Sequence, residues 1–110
     1  MPDNLCELSC TPCRGGVPPL TLAEAEAFLA RTPGWSLFET GRRLVRRYPF
    51  ADFQSALDFV NRVGALAERE GHHPEMTVAW GSVTVAWWTH KIDGLHENDF
   101  IMAAKTDTLR

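Results

Sequence analysis

Apolar residues recur along the chain with a helical period in three places and a strand period in four, and this alternation predicts the elements. The first helical pattern covers residues 22–31. Thr21 and Glu24 have the spacing of a capping box, in which a hydroxyl and a carboxylate each accept a backbone N–H at the start of a helix. Pro33 and Gly34 then predict the end of the helix.

Two stretches rich in aromatic and branched residues follow, at residues 35–39 and 42–50. Thr40-Gly41 lies between them, so the pattern predicts a β-hairpin. The large apolar residues of the second stretch share one parity and should lie on one face of a sheet: Leu44, Tyr48 and Phe50.

The longest helical pattern begins after Asp52, a residue suited to an N-cap, and ends at Gly71, a residue suited to a left-handed C-cap. Its apolar residues recur at three- and four-residue spacing, which predicts a stripe that packs against the sheet. The stripe consists of Phe53, Ala56, Leu57, Val60, Val63 and Ala67.

A second hairpin is predicted after this helix. Residues 76–80 and 83–90 are strand-like and flank Gly81-Ser82, which predicts a two-residue turn with glycine at its first position. The first residue of the later strand should then lie opposite the last residue of the earlier one. The later strand should therefore return to the point where the long helix ends.

The last helix is predicted over residues 97–109, after a turn at Asp93-Gly94. Its inward residues are Phe100, Ile101, Ala104 and Leu109. The order α-β-β-α-β-β-α predicts an α+β fold, a four-stranded antiparallel sheet with three helices on one face, in a single domain over residues 21–110. Residues 1–20 show neither period and are interpreted as an irregular N-terminal arm rich in Cys, Pro and Gly.

The net charge of the chain is −3 and its pI is near 5.7, which argues against a nucleic-acid partner, because phosphate binding needs a concentrated positive field. The one basic cluster consists of Arg42, Arg43, Arg46 and Arg47. We interpret it as the solvent side and edge of a strand, where charge discourages unwanted pairing. An anionic partner is the alternative.

No apolar run approaches the ~20 residues needed to cross a bilayer, and the N-terminus lacks the features of a signal peptide. We therefore expect a cytoplasmic protein without a membrane partner. The chain contains four tryptophans and six phenylalanines, and one small core leaves some apolar surface exposed. This surface favours self-association.

Three cysteines, Cys6, Cys10 and Cys13, lie close together in the arm. An odd number of cysteines is a poor basis for a disulfide framework. Reduced thiols in a flexible arm are the favoured interpretation. A zinc site completed by a fourth ligand, from this chain or another subunit, is the alternative.

His72 and His73 stand next to each other, immediately before Pro74, where the long helix gives way to a strand. Adjacent residues in an extended segment point to opposite sides, so the two rings cannot simply chelate one ion. His90 ends the strand that returns to this corner, and Glu68 lies one helical turn before it. We therefore expect three imidazoles to converge at one end of the sheet. Proton transfer is the favoured use; a zinc site and simple solvent contacts are the alternatives.

These residues resemble the pterin-4a-carbinolamine dehydratases, whose animal members are also known as dimerisation cofactors of a homeodomain transcription factor. The resemblance covers about residues 20–109 and is most specific at the helix-to-HHP corner and in the later TH and GL-x-x-x-D motifs. The N-terminal Cys-x-x-Cys-x-Gly-Gly is also similar to bacterial members. The matching residues are Gly34-Trp35, Phe50 with Phe53, Ala67-Glu68, His72-His73-Pro74, Thr89-His90, Gly94-Leu95 and Asp99.

The resemblance implies this same three-helix, four-stranded fold, assembled as a homodimer or homotetramer. It implies a hydro-lyase, 4a-hydroxytetrahydrobiopterin dehydratase, that needs no metal or organic cofactor. The implied reaction removes water from 4a-hydroxytetrahydropterin to give quinonoid dihydropterin, in the recycling of tetrahydrobiopterin after aromatic amino acid hydroxylases have released the carbinolamine.

The resemblance also implies the site. The catalytic histidines would be His72, His73 and His90, and the supporting or substrate-binding residues would be Glu68, Pro74, Thr89 and Asp99. We expect His72 and His90 to alternate as acid and base, and His73 to seat and polarise the pterin.

Gly71, Met76 and His96 depart from what members of the family often carry at these positions. The first two should border the pocket and could change affinity or substrate. His96 should cap the last helix weakly, and the alternative is that it adds a fourth imidazole to the rim of the pocket. The alternative function is a non-catalytic dimerising or assembly partner with the same fold. Its docking surface would be an exposed sheet face with Trp87 or Trp88.

Overall fold

The computed structural model describes Leu5 and residues 17–110. The helices are α1 (Leu22–Leu29), α2 (Phe53–Glu70) and α3 (Glu97–Asp107). The strands are β1 (Ser36–Phe38), β2 (Arg43–Pro49), β3 (Glu75–Ala79) and β4 (Ser82–Trp87), and a single 3₁₀ turn, His90–Ile92, precedes α3. The predicted order α-β-β-α-β-β-α is confirmed.

The four strands form one antiparallel sheet in the order β1-β2-β4-β3. Alternate residues of the two inner strands are buried where α2 and α3 pack: Leu44, Tyr48, Val83, Val85 and Trp87. The predicted α+β architecture is therefore confirmed. Because β2 lies inside the sheet, the interpretation of the arginine cluster as an edge is wrong. Arg42 and Arg47 are exposed, whereas Arg43 and Arg46 are half-buried.

The buried face of α2 is rotated relative to the predicted stripe. It consists of Ala56, Phe59, Val63, Leu66 and Ala67. Phe53 was expected in this face but is 43% exposed. Successive helical residues are about 100° apart, so the observed face is centred roughly 60° from the predicted one and leaves Phe53 at its border. Phe59 fills the core instead, with its ring centroid 4.7 Å from that of Tyr48.

The predicted caps of the long helix are confirmed. The Asp52 carboxylate accepts from the backbone N–H of Ser55 at 2.7 Å and from its hydroxyl at 2.6 Å. These two hydrogen bonds hold the pKa of Asp52 below its ordinary value. Gly71 ends α2 in the left-handed conformation with φ +68°, which costs glycine no steric penalty.

The β3–β4 hairpin is present, with a different register from the predicted one. Ala79 pairs with Ser82, so the turn is Trp80-Gly81, and Val83 lies opposite Val78 rather than Trp80. A shift of two positions keeps every side chain on its predicted face, because the strand period is two. β4 ends at Trp87, so His90 lies in the 3₁₀ turn and not in the strand.

The end of α3 is tied to the sheet by one carboxylate. Asp107 accepts from the indole Nε1 of Trp35 at 3.1 Å, from the Arg46 guanidinium at 3.1 Å and from the Tyr48 hydroxyl. Burial, followed by the hydrogen bond to Asp107, raises the pKa of Tyr48 far above its ordinary value. The sequence pattern did not predict this cluster.

The start of the chain contributes to the folded domain. Leu5 belongs to the core and is 2% exposed, although the pattern placed it in the irregular arm. The backbone N–H of Leu20 donates to the carbonyl of Leu95 at 2.8 Å. A Cβ added to Gly94 would lie 2.5 Å from the Cβ of Pro19, so glycine allows this close approach. Cys6, Cys10 and Cys13 lie outside the described residues. Among the described residues, no helix combines the length and the apolar character that crossing a membrane requires.

Candidate active site

The buried carboxylate of Asp99 organises the corner between α2 and β3. It lies in the first turn of α3 and is fully buried. One oxygen accepts from His72 Nε2 at 2.6 Å, and the other accepts from the Thr89 hydroxyl at 2.8 Å and from the backbone N–H of His96 at 2.9 Å. A buried carboxylate needs such donors to offset lost hydration. Asp99 therefore joins α3 to both segments that carry the predicted histidines.

The His72 ring is held at its edge and on its face. The Gly71 cap turns the chain out of α2, and the backbone N–H of His72 donates to the carbonyl of Ala67 at 3.2 Å. The imidazole stacks on Trp87 with centroids 5.7 Å apart and planes 18° apart. Its side chain is 11% exposed, so little freedom of orientation remains.

Trp87 is itself fixed from behind. Its indole N–H donates to the Thr106 hydroxyl at 3.1 Å, and that hydroxyl donates to the carbonyl of Met102 at 2.6 Å. All three residues are fully buried. The pattern suggested Trp87 as an exposed docking residue, and this is wrong: Trp87 has the inward parity of Val83 and Val85, and it supports the His72 ring.

His73 points to a different environment. Its Nε2 lies 2.5 Å from a carboxylate oxygen of Glu68 on the last turn of α2, and its side chain is 58% exposed. Pro74 follows in a half-buried position before β3. Since adjacent extended residues point to opposite sides, one ring of the pair is enclosed and the other is open to solvent.

His90 lies on the 3₁₀ turn and is exposed. Its ring centroid is 4.5 Å from that of Trp88, the residue after β4. The turn is closed by a bridge in which the backbone N–H of Thr89 donates to the carbonyl of Gly94 at 2.9 Å. Trp88 is half-buried, so it is not the exposed docking residue that the pattern suggested.

The predicted site residues lie at the end of the β3–β4 hairpin opposite its turn. There they form three groups: His72 with Asp99 and Thr89, His73 with Glu68, and His90 with Trp88. The convergence of all three imidazoles on one cavity stays a prediction. The sequence pattern did not identify Trp87 and Thr106 as supports of the His72 ring. In the sequence, the first is simply an apolar residue in a strand and the second a hydroxyl residue in a helix.

The residues that depart from the family pattern have clear positions. Gly71 is exposed at the end of α2, and Met76 is half-buried on β3. His96 is the N-cap of α3, and its Nδ1 accepts from the backbone N–H of Asn98 at 3.1 Å. The prediction that His96 caps the last helix is confirmed.

Within Leu5 and residues 17–110, no group of three or more His, Cys, Asp or Glu side chains is arranged to hold a metal ion. The zinc site suggested for Cys6, Cys10 and Cys13 falls on residues outside this range. Each described histidine at the corner is engaged by a carboxylate or an aromatic ring.

Known proteins are similar to this chain along nearly its whole length. A family model described as pterin 4 alpha carbinolamine dehydratase matches residues 18–109. A protein of Cupriavidus pinatubonensis named "Putative pterin-4-alpha-carbinolamine dehydratase 1" is 57% identical over 109 residues, covering 99% of this chain and 94% of the relative. A protein of Aromatoleum aromaticum with the same name, without the final numeral, is 56% identical, covering 99% and 97%.

A solved structure supports the same conclusion. The crystal structure of a transcriptional coactivator/pterin dehydratase from Brucella melitensis superposes with a TM-score of 0.77 at 32% identity, covering 83% of this chain and 97% of that one. The fold, the family model and these relatives agree. The chain belongs to the pterin 4 alpha carbinolamine dehydratase family.

Proposed function

We propose that this protein is a hydro-lyase, 4a-hydroxytetrahydrobiopterin dehydratase, which removes water from 4a-hydroxytetrahydropterin to give quinonoid dihydropterin. The observation that carries the proposal is the fully buried Asp99 carboxylate bonded to the ring of His72. Family membership supplies the substrate class. The buried carboxylate–imidazole pair supports acid–base chemistry, since burial and orientation of this kind are typical of catalytic histidines.

The reaction needs one proton donor and one proton acceptor. The bond between C4a and its hydroxyl oxygen breaks, and the oxygen leaves as water after taking a proton. The N5 lone pair forms a C4a=N5 double bond, and N5 then loses its own proton. Each assisted proton transfer contributes ~10²- to 10⁴-fold to the rate. Nothing is oxidised or reduced, so suitably placed imidazoles are sufficient.

His72 and His90 are the proposed acid–base pair. Because an ionised carboxylate only accepts, neutral His72 carries its proton on Nε2 toward Asp99 and has its lone pair on Nδ1. His72 Nδ1 can therefore take the N5 proton, and Asp99 stabilises the imidazolium that results. His90 is exposed, so it can protonate the leaving hydroxyl and recover its proton from water. The cycle closes when the His72 imidazolium releases the proton taken from N5 to solvent.

His73 is the proposed seat for the pterin. Its ring is largely exposed and is oriented by the Glu68 carboxylate, so it can meet an incoming ligand. Pro74 keeps His73 in extended geometry, because proline disfavours the helical conformation in the residue before it. Thr89 positions the Asp99 carboxylate from the 3₁₀ side. The substrate is a hydroxylated tetrahydropterin, so a pterin-dependent aromatic amino acid hydroxylase is the expected source.

The test is to follow the dehydration of synthetic 4a-hydroxytetrahydropterin by absorbance. We expect wild-type protein to accelerate the reaction well above background and His73→Ala to lose most of that acceleration. Gln54→Ala is the matched control, because Gln54 is exposed on the same helix and, at 1.5 Å per residue, lies roughly 20 Å from Glu68. Rates at background for both wild type and His73→Ala would refute the proposal.

The second candidate is an assembly role, favoured by one surface. β3 is an edge strand, and the adjacent Trp80 is 74% exposed. Val78 on the same strand is also exposed, so apolar side chains lie beside unpaired backbone groups. A second copy of this chain is the proposed occupant, as a homodimer or homotetramer. Sedimentation of wild type and Trp80→Ser measures this directly: equal monomeric masses would exclude it.

A further inference from the structure

Trp88 connects His90 to a fixed arginine. The Arg43 guanidinium carbon lies 4.2 Å from the centroid of the Trp88 ring, and the His90 centroid lies 4.5 Å from it at an interplanar angle of 34°. A cation over an indole face and an aromatic ring tilted against it are both favourable arrangements. The exposed imidazole of His90 therefore rests on a ring that has a partner of its own.

Arg43 is held in place by three further contacts. One guanidinium nitrogen donates to an Asp93 carboxylate oxygen at 3.1 Å, another donates to the carbonyl of Arg42 at 3.0 Å, and a third lies 3.5 Å from a Glu39 oxygen. Its side chain is only 17% exposed. Arg43 can therefore orient Trp88 as a fixed support.

Arg43 is also linked to the backbone of His90, through Asp93. Asp93 ends the 3₁₀ turn in the left-handed conformation, and its backbone N–H donates to the carbonyl of His90 at 3.3 Å. Arg43 pairs with the side chain of this Asp93. Arg43 therefore contacts both neighbours of His90: Trp88, which packs against the His90 ring, and Asp93, which bonds to the His90 carbonyl.

We infer that Trp88, held by Arg43, is a positioning residue that fixes the ring of His90 for proton transfer. This inference rests on the proposed dehydratase function. An exposed histidine samples several rotamers, and each rotamer moves its nitrogens by more than a hydrogen-bond length. A misplacement of about 1 Å at a reacting group can cost ~10²-fold in rate. Contact with the tilted ring of Trp88 restricts that freedom while His90 stays exposed to solvent.

The test compares Trp88→Leu with Trp88→Phe, which keeps an aromatic face. We expect Trp88→Leu to lower kcat by about 10- to 100-fold with little change in KM, and Trp88→Phe to retain kcat within about threefold. Phe53→Leu is the control for loss of a partly exposed aromatic away from the site, since Phe53 begins α2 at the end opposite the His72 corner and is 43% exposed. Wild-type kcat in a folded Trp88→Leu protein would overturn the inference.

A spectroscopic readout separates this inference from the proposed function. In wild type, the ring current of Trp88 should shift the His90 carbon-bound ring protons upfield in the NMR spectrum. We expect the shift to persist in Trp88→Phe, to weaken in Arg43→Gln and to disappear in Trp88→Leu. If wild type lacks dehydratase activity but shows these shifts, the proposed function fails and the support of His90 stands. The positioning role is refuted if the upfield shift is absent in wild type, or if Arg43→Gln changes neither the shift nor kcat. If Trp88→Leu does not fold, the Arg43→Gln variant alone tests the inference.

Discussion

Replacing Asp99 with asparagine tests the centre of the site without changing its shape. Asp99 accepts three hydrogen bonds and is fully buried, so solvent does not weaken them. A hydrogen bond to a charged group contributes about 1.5–3 kcal/mol and a neutral one about 0.5–1.5 kcal/mol. Losing the charge therefore removes ~1 kcal/mol from each bond, and we expect Asp99→Asn to lower the free energy of unfolding by about 3 kcal/mol.

The asparagine amide also has a preferred orientation. Its oxygen should face the Thr89 hydroxyl and the His96 backbone N–H, because the backbone group can only donate. The NH₂ group then faces His72 Nε2, which must give up its proton and become the acceptor. Asp99→Asn should thus move the proton of neutral His72 from Nε2 to Nδ1, and any dehydratase activity should fall by ~10²-fold or more, because the lone pair that accepts the substrate proton is lost.

Two measurements check this reasoning. Urea unfolding gives the change in stability, and ¹⁵N NMR of the imidazole nitrogens gives the tautomer of His72. Asp58→Asn is the control, since Asp58 is exposed on α2 and accepts only a surface hydrogen bond from Gln54 at 2.8 Å; it should stay within about 0.5 kcal/mol of wild type. An Asp99→Asn protein with wild-type stability and an unmoved proton would refute the account of this carboxylate.

Two further predictions concern stability away from the site. Burial and Asp107 raise the pKa of Tyr48 above its ordinary 10.0, so the stability linked to Tyr48 should be complete below that pH and decline above it, because only the unfolded state then ionises freely. Tyr48→Phe should flatten this decline in urea unfolding between about pH 8 and about pH 11. Leu5→Ala should cost about 2–5 kcal/mol, seen as a lower Tm, because Leu5 is a buried part of the core; an unchanged Tm would show that this residue adds nothing.

Local chemistry explains why most elements of the fold could be predicted. The capping residues Thr21 and Asp52 and the left-handed Gly71 act on their immediate neighbours, so sequence alone locates these helix ends. The strand period fixes which side chains share a face of the sheet. The predicted faces were correct although the turn at Gly81 was placed wrongly, because the register differs by two positions. Such errors alter the partner of a residue while preserving its side of the sheet.

Tertiary packing explains what could not be predicted. The rotation of α2 depends on how Phe59 meets the rings of Tyr48 and Phe50, which a helical period does not specify. The Asp107 cluster joins residues as much as 72 positions apart, so no local pattern contains it. In the site, Asp99 was expected as a supporting residue only because of the resemblance to a known family. Its three hydrogen-bond donors are visible only in the structure.

The helix-to-HHP corner gives two adjacent and chemically identical side chains opposite surroundings. Gly71 turns the chain, and the extended segment before Pro74 then sends His72 inward to Asp99 and His73 outward to Glu68. A buried imidazole keeps one orientation and one tautomer but exchanges protons slowly with water, whereas an exposed one exchanges readily but is poorly fixed. In the proposed reaction, a pterin between the enclosed and the open imidazoles would meet a fixed acceptor on one side and groups in contact with solvent on the other. In the proposed reaction, His72 would therefore be the oriented group of the pair and His73 the accessible one.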